Sequence, residues 1–305
     1  MYDRDQVARG VRRGVENPGY FGRELNRLYH RRCYRDDFNT DGVAVVDEEW
    51  DTLVILDACR YDDFRELHDL PGDLQSRESR GSHTVEFLVG NFAGRELLDT
   101  VYVTASPQLH SKGVDVRFHA VENVWQGDGW DEDAGTVRPE TMADRVLAAA
   151  ERYPEKRLIA HFVQPHYPFL DTDAGRGGSL RNAAAIDIWG QLMKGTAETA
   201  PEAVREAYRR NLQLALPAVE RLLADLSGRT VVTADHGNMF GERARPIPVR
   251  EWGHPPGIYT EQLVRVPWLV HGGDRKRVTA SPPVEGEPET ESDPRERLKQ
   301  LGYIE

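Results

Sequence analysis

The residues that could do chemistry sit in a few short runs. Thr230-Val231-Val232-Thr233-Ala234 is a β-branched stretch that ends at the adjacent pair Asp235-His236, with Gly237 next. A buried strand that stops at Asp-His delivers a carboxylate and an imidazole, two ligands for a divalent metal, to the rim of a sheet. The run Leu53-Val54-Ile55-Leu56 ends in the same way at Asp57. Two apolar strands tipped with Asp or His predict one metal centre built from distant parts of the chain. Carboxylate and imidazole donors suit Zn, Mn or Mg, and the oxygen donors also suit Ca.

Further candidates surround that pair. Ser82 follows Gly81 ahead of the apolar run 85–89. It reads as a helix N-cap, or as a hydroxyl nucleophile at a helix end where backbone N–H groups hold an anion beside a metal. His166 stands between two prolines in Pro165-His166-Tyr167-Pro168, just past the apolar run 158–163. His161, inside that run, reads as a satisfied core histidine. His254, in Gly253-His254-Pro255 beside Trp252, reads as a turn residue or as an anion- or metal-binding group. Arg60 could contact an anion or pair with Asp62 or Asp63.

The elements that position these residues alternate. Strands are predicted over 52–56, 100–104, 157–163, 229–234 and 265–270, and helices over 62–69, 82–92, 139–153 and 201–227. Apolar residues from Val204 to Leu226 recur at helical spacing, and Pro217 predicts a kink or break there. Such alternation predicts an α/β fold, a mostly parallel central sheet with helices on both faces, whose ligands bind outside the carboxyl ends of the strands. The chain divides into a helical N-terminal extension over 1–47, a core over 48–275, and an acidic linker with a C-terminal docking segment over 276–305. Residues 126–138 and 171–180 read as Gly-rich loops, and 279–294 as a flexible linker.

Composition narrows the classes. The chain has 305 residues and a net charge of −12, with 51 acidic residues against 39 basic ones. Five of the basic residues are lysines; acid excess with few lysines predicts a halophilic protein. The acidity argues against nucleic acid as a partner, because phosphate backbones need a basic footprint. No apolar stretch is long enough to span a bilayer, and the first residues carry no apolar segment, so the expected location is cytoplasmic. Cys33 and Cys59 form no metal-binding pair.

In chain order, Asp57, Ser82, His166, Asp235-His236 and His254 resemble the alkaline phosphatase superfamily on its sulfatase-like branch. The stretches that carry the resemblance are Val54–Asp62, Pro165–Pro168, Thr233–Gly237 with Gly241-Glu242, and Gly253-His254 with Val264-Arg265-Val266-Pro267. The ending Leu298–Tyr303 also matches, so the likeness covers about residues 48–273 and that tail. It implies Asp57, Asp235 and His236 as ligands of one divalent metal, Ser82 as nucleophile with Thr84 as the fallback, and His166 and His254 on the transferred group. Arg60 and Thr84 would bind substrate. The motif Cys/Ser-x-Pro-x-Arg of formylglycine sulfatases is missing, and residues 79–90 look instead like the segment of lipoteichoic acid synthase-like phosphotransferases. The implied activity is hydrolysis or transfer of a small-molecule, glycan-linked or lipid-linked phosphate or sulfate ester through a Ser-linked intermediate. A formylglycine-independent sulfatase and a noncatalytic metal-stabilised binding member are the alternatives. A phosphosugar mutase would need a second metal pair, which Asp171 and Gly175 do not supply.

Overall fold

A computed structural model describes residues 19–33, 37–170, 188–284 and 294–301. The elements in order are α1 (Gly19–Cys33), β1 (Thr52–Leu56), α2 (Tyr61–Leu67), β2 (Asp73–Glu78), α3 (Thr84–Phe92), β3 (Arg95–Thr104), α4 (Gln108–Ser111), β4 (Val116–Asn123), α5 (Pro139–Arg152), β5 (Arg157–Phe162), α6 (Ile188–Lys194), α7 (Pro201–Asp225), β6 (Thr230–Ala234), β7 (Met239–Arg243), β8 (Arg250–Gly253), α8 (Glu261–Val264), β9 (Arg265–His271) and α9 (Pro294–Gln300). Seven strands form one sheet in the order β2-β9-β6-β1-β5-β3-β4, and β7 pairs with β8 in a separate hairpin. β9 runs antiparallel to both its neighbours; the other pairings of the large sheet are parallel. The carboxyl ends of β1, β5 and β6 therefore share one edge.

β1, β5 and β6 are buried along their whole length. Covered on both faces, such strands read as unbroken apolar runs, which is why these three are visible in the sequence. Alternation along the strands then fixes which face each side chain joins. Val54, Leu56, Leu158, Ala160 and Val232 pack with α5 and α7 in one core. Leu53, Ile55, Ile159 and Val231 pack with α3 in the other. By the same parity Asp57, His161 and Asp235 belong to the α3 side of the sheet.

Several expectations are corrected. β2 and β4 are strands too polar to read as such, at the sheet's edges: β2 has only exposed and half-buried positions, and β4 buries only Phe118 and His119. Helix α7 runs unbroken through Pro217. The described part of the expected linker lies against the core: Thr279, Ser281 and Val284 donate backbone hydrogen bonds to Glu155, Leu98 and His119. The Lys156 ammonium reaches Leu98 O, Thr279 O and Ser281 Oγ across the same seam. Leu301 is buried in the larger core. The Gly-rich stretch at 171–180 lies outside the described residues.

Candidate metal centre and hydroxyl

The centre forms where β1 and β6 end. Past β1, Ala58 turns the chain with φ 60°, a left-handed conformation that costs a non-glycine residue energy. Tyr208 on α7 holds this turn: its hydroxyl donates to Ala58 O at 2.8 Å and accepts from Arg60 N at 2.9 Å. The turn aims Ala58 N at Asp235 Oδ1 (3.0 Å), and His236 N donates to the same oxygen at 2.8 Å. Asp235 Oδ2 is thereby directed inward. Gly237 follows because a Cβ there would stand 2.1 Å from Gln262 O.

His236 carries the key geometry. Its Nδ1 lies 2.7 Å from Gly237 O, an acceptor only, so Nδ1 bears the proton and Nε2 presents a lone pair. That lone pair stands 3.3 Å from Asp235 Oδ2 and 3.5 Å from Asp57 Oδ1. Asp57, Asp235 and His236 are all fully buried. Electron pairs converging in a dry site repel one another unless a cation lies between them. Tetrahedral ligands about 2.0–2.2 Å from a zinc ion are separated by about 3.3–3.5 Å, the spacing found here. Burial holds His236 down at about 3, so the imidazole is neutral and able to ligate at neutral pH, and burial pushes Asp235 up.

His161 joins this group, against the sequence reading of it as a satisfied core residue. Ligand atoms of Asp57, His161 and Asp235 lie within 4.8 Å of one another. His161 Nε2 has no hydrogen-bond partner and faces Asp235 Oδ2 at 3.9 Å. That oxygen also lacks a hydrogen bond of normal geometry, although the Thr84 hydroxyl is close enough to favour its charged form. Tyr102 OH holds the other ring nitrogen, Nδ1, at 2.6 Å. Two buried polar atoms left facing each other fit a cation between them. The only sequence signal for His161 is its parity with Asp235, visible once β5 and β6 are placed in register with β1.

The two candidate hydroxyls part company. Ser82 Oγ donates to Glu86 Oε2 at 2.8 Å, lies 3.1 Å from Pro255 O, and accepts from Gly257 N at 3.0 Å. Glu86 Oε1 accepts from Gly257 N as well. Ser82 thus ties the start of α3 to the loop after His254. Thr84, the first residue of α3, instead places Oγ1 3.3 Å from His236 Nε2. The hydroxyl brought to the Asp57–Asp235–His236 group is Thr84, not Ser82.

His166 and His254 form an imidazole pair above it, Nε2 to Nε2 at 3.4 Å. The His254 ring also stands 4.8 Å from that of His236. His166 Nδ1 is 2.6 Å from Tyr167 O, so it donates there and His166 Nε2 accepts. His254 Nδ1 lies 3.2 Å from Asn238 Oδ1, an acceptor only, so it donates there, and the Nε2 atoms of both rings present lone pairs to the site. Burial holds His166 at about 4, and burial with the neighbouring imidazoles keeps His254 well below the usual histidine range. His254 is partly exposed and marks the mouth of the site.

The loop bearing His166 is held by a residue the sequence reading passed over. Asn211, a polar residue on the buried face of α7, donates to His166 O and Pro168 O at 3.0 Å each and accepts from Leu170 N at 2.8 Å. Arg60 is fully engaged: it pairs with Asp62 at 2.6 Å and Glu242 at 2.5 Å and donates to Asn238 O. It braces the strand after Asp235-His236 and offers no open donor pair for an anion.

No protein-family model matches the chain, and no curated protein does. Solved structures are similar to it. One is the C-terminal periplasmic domain of EcEptC from Escherichia coli in complex with Zn, at 13% identity and TM-score 0.45, covering 73% of this chain and 72% of that one. Another is the soluble domain of lipooligosaccharide phosphoethanolamine transferase A from Neisseria meningitidis, at 11% identity and TM-score 0.46, covering 72% and 75%. A third is a 2-O GAG sulfatase, at 11% identity and TM-score 0.42, covering 76% of this chain and 65% of that one. At these identities the likeness is one of fold, and the chemistry rests on this chain's own residues.

Proposed function

We propose that the chain is a metal-dependent enzyme that hydrolyses or transfers a phosphate or sulfate ester, with Thr84 as its nucleophile. The observation that carries this is the lone pair of His236 Nε2, which faces Asp57, Asp235 and the Thr84 hydroxyl at 3.3–3.5 Å. Asp57, Asp235 and His236 would hold the metal, with His161 beside them. Zn or Mn suits two carboxylates with imidazole better than Ca does. A metal held there would supply charge that favours the alkoxide of Thr84 and offsets charge on the ester's nonbridging oxygens. Thr84 attacks phosphorus or sulfur in line and forms a Thr-linked ester. The backbone N–H groups at the start of α3 hold the nonbridging oxygens. His166 and His254, neutral beforehand, accept the proton Thr84 releases and return it to the departing oxygen. Water or an acceptor alcohol then cleaves the Thr-linked ester.

Activity on model phosphodiesters, phosphomonoesters and aryl sulfates tests this. Thr84→Val and Asp235→Ala each lose at least about 1000-fold in kcat/KM on the ester the wild type cleaves. Full activity in either variant sinks the proposal. Stoichiometric metal binding with no turnover on any ester would instead favour a noncatalytic binding member.

A further inference from the structure

Tyr102 carries a hydroxyl into the apolar core on the α3 side of the sheet. Its ring is buried, stacked on Phe118 with centroids 5.1 Å apart and edge-on to Phe92 at 5.9 Å. Phenylalanine would fill that space without the cost of taking a hydroxyl out of water. The hydroxyl meets His161 Nδ1 at 2.6 Å. β3, β5, β1 and β6 are neighbours in that order, and their register puts Tyr102, His161, Asp57 and Asp235 in a row across one face. The row closes where His161 Nε2 faces Asp235 Oδ2 at 3.9 Å, with no hydrogen-bond partner for Nε2.

Proton bookkeeping decides what His161 Nε2 presents. Burial holds His161 at about 4, so the ring is neutral and carries one proton. On Nε2 that proton would be buried 3.9 Å from Asp235 Oδ2, too far to be donated. On Nδ1 it is donated to the Tyr102 oxygen at 2.6 Å. Tyr102 then needs an acceptor for its own proton. Thr104, two residues along the same face of β3, lies close enough to interact with it. Thr104 Oγ1 gives its proton to Ser106 O at 3.0 Å, which leaves it an acceptor towards Tyr102. We propose that Tyr102 is a positioning residue for the metal centre: it holds the His161 proton on Nδ1, so that Nε2 offers a lone pair to the metal beside Asp57 and Asp235. Partners behind a ligating histidine fix its tautomer and ring orientation in just this way. The inference rests on the metal-dependent reading of the site and adds to it a fourth ligand and the group that aims it.

The test reads metal binding and the tautomer, with no ester turnover. In the metal-free wild type, nitrogen-15 NMR of the histidine rings shows the proton of His161 on Nδ1. Zinc affinity is measured by competition with a chromophoric chelator, and ligation by the visible spectrum of the cobalt-loaded protein. Tyr102→Phe weakens zinc binding by about 10–100-fold and shifts the cobalt bands. His161→Gln weakens it at least as much, and adding Tyr102→Phe to His161→Gln costs nothing further, because Tyr102 acts through His161. A residue that only packs the core would impose the same loss in both backgrounds. The thermal midpoint of each metal-free variant checks that it folds, and the NMR result needs no variant. A proton on Nε2 overturns the proposal, as does a loss from Tyr102→Phe that persists in full beside His161→Gln. Zinc binding that Tyr102→Phe leaves unchanged defeats this inference alone, whereas a wild type that binds no zinc, manganese or cobalt defeats the metal-dependent reading with it.

Discussion

The strand ends at 57 and 235–236 and the helix start at 82–84 face each other across the same centre, yet they differ in how their side chains are aimed. At a strand end, direction follows from parity. Asp57 and Asp235 share a face with Leu53, Ile55 and Val231, and the register of β1 with β6 brings them together. At a helix start, each residue turns the side chain by about 100°, and the cap residue decides which of them points where. Ser82 and Thr84 are two residues apart, and one ties down a loop while the other reaches His236. Strand ends thus specify ligands, whereas helix starts specify only a neighbourhood.

Breaking the strand-end side has the largest effect. Asp235→Asn removes charge from the group that His236 and His161 face, and metal-induced thermal stabilisation disappears along with activity, a loss of at least about 1000-fold. Differential scanning fluorimetry with and without Zn or Mn measures the first, and ester hydrolysis the second. On the helix side, the two hydroxyls separate by kind of effect. Thr84→Val abolishes turnover with little change in thermal midpoint. Ser82→Ala leaves Glu86 and Gly257 without their shared partner and costs about 1–3 kcal/mol of stability, with activity kept within about tenfold. Equal losses of turnover in both would erase the distinction between them.

Gly237→Ala probes how tightly the strand end is built. A Cβ that close to Gln262 O forces the backbone apart and lowers stability by a few kcal/mol, on the order seen for overpacked sites. Urea denaturation of the metal-free protein reads it. A smaller effect is expected from pH. His166 is held at about 4 in the folded chain by burial, below the ordinary histidine value of 6.5. The unfolded chain takes up that proton first on acidification. Stability is therefore untouched above pH 6.5 and falls as pH drops from there towards 4, by up to about 1.4 kcal/mol per pH unit for this one histidine. His166→Gln flattens that slope.

What was legible in the sequence follows the same physics. Buried parallel strands announce themselves as apolar runs, so β1, β5, β6 and the Asp-His edge could be read directly. Edge strands β2 and β4, half wetted, carry no such run. His161 looked like core because it is core, fully buried; only the register of three strands reveals that its free nitrogen faces Asp235. Asn211 and Tyr208 sit on the buried face of a helix far along the chain, and nothing local to them shows that they clamp the loops bearing His166 and Ala58. Arg60 was visible, but its partner Glu242 arrives through the turn after β6, which the sequence does not place.

The central claim is that the centre works through Thr84. The direct measurement is to mix metal-loaded protein with an activated aryl phosphate, quench in acid, and locate the phosphoryl group by fragment-ion mass spectrometry of the peptide that follows Arg80. The account predicts phosphothreonine at Thr84 in the wild type and none in Asp235→Asn. Phosphoserine at Ser82, or aryl phosphate turnover that survives Thr84→Val, would contradict it.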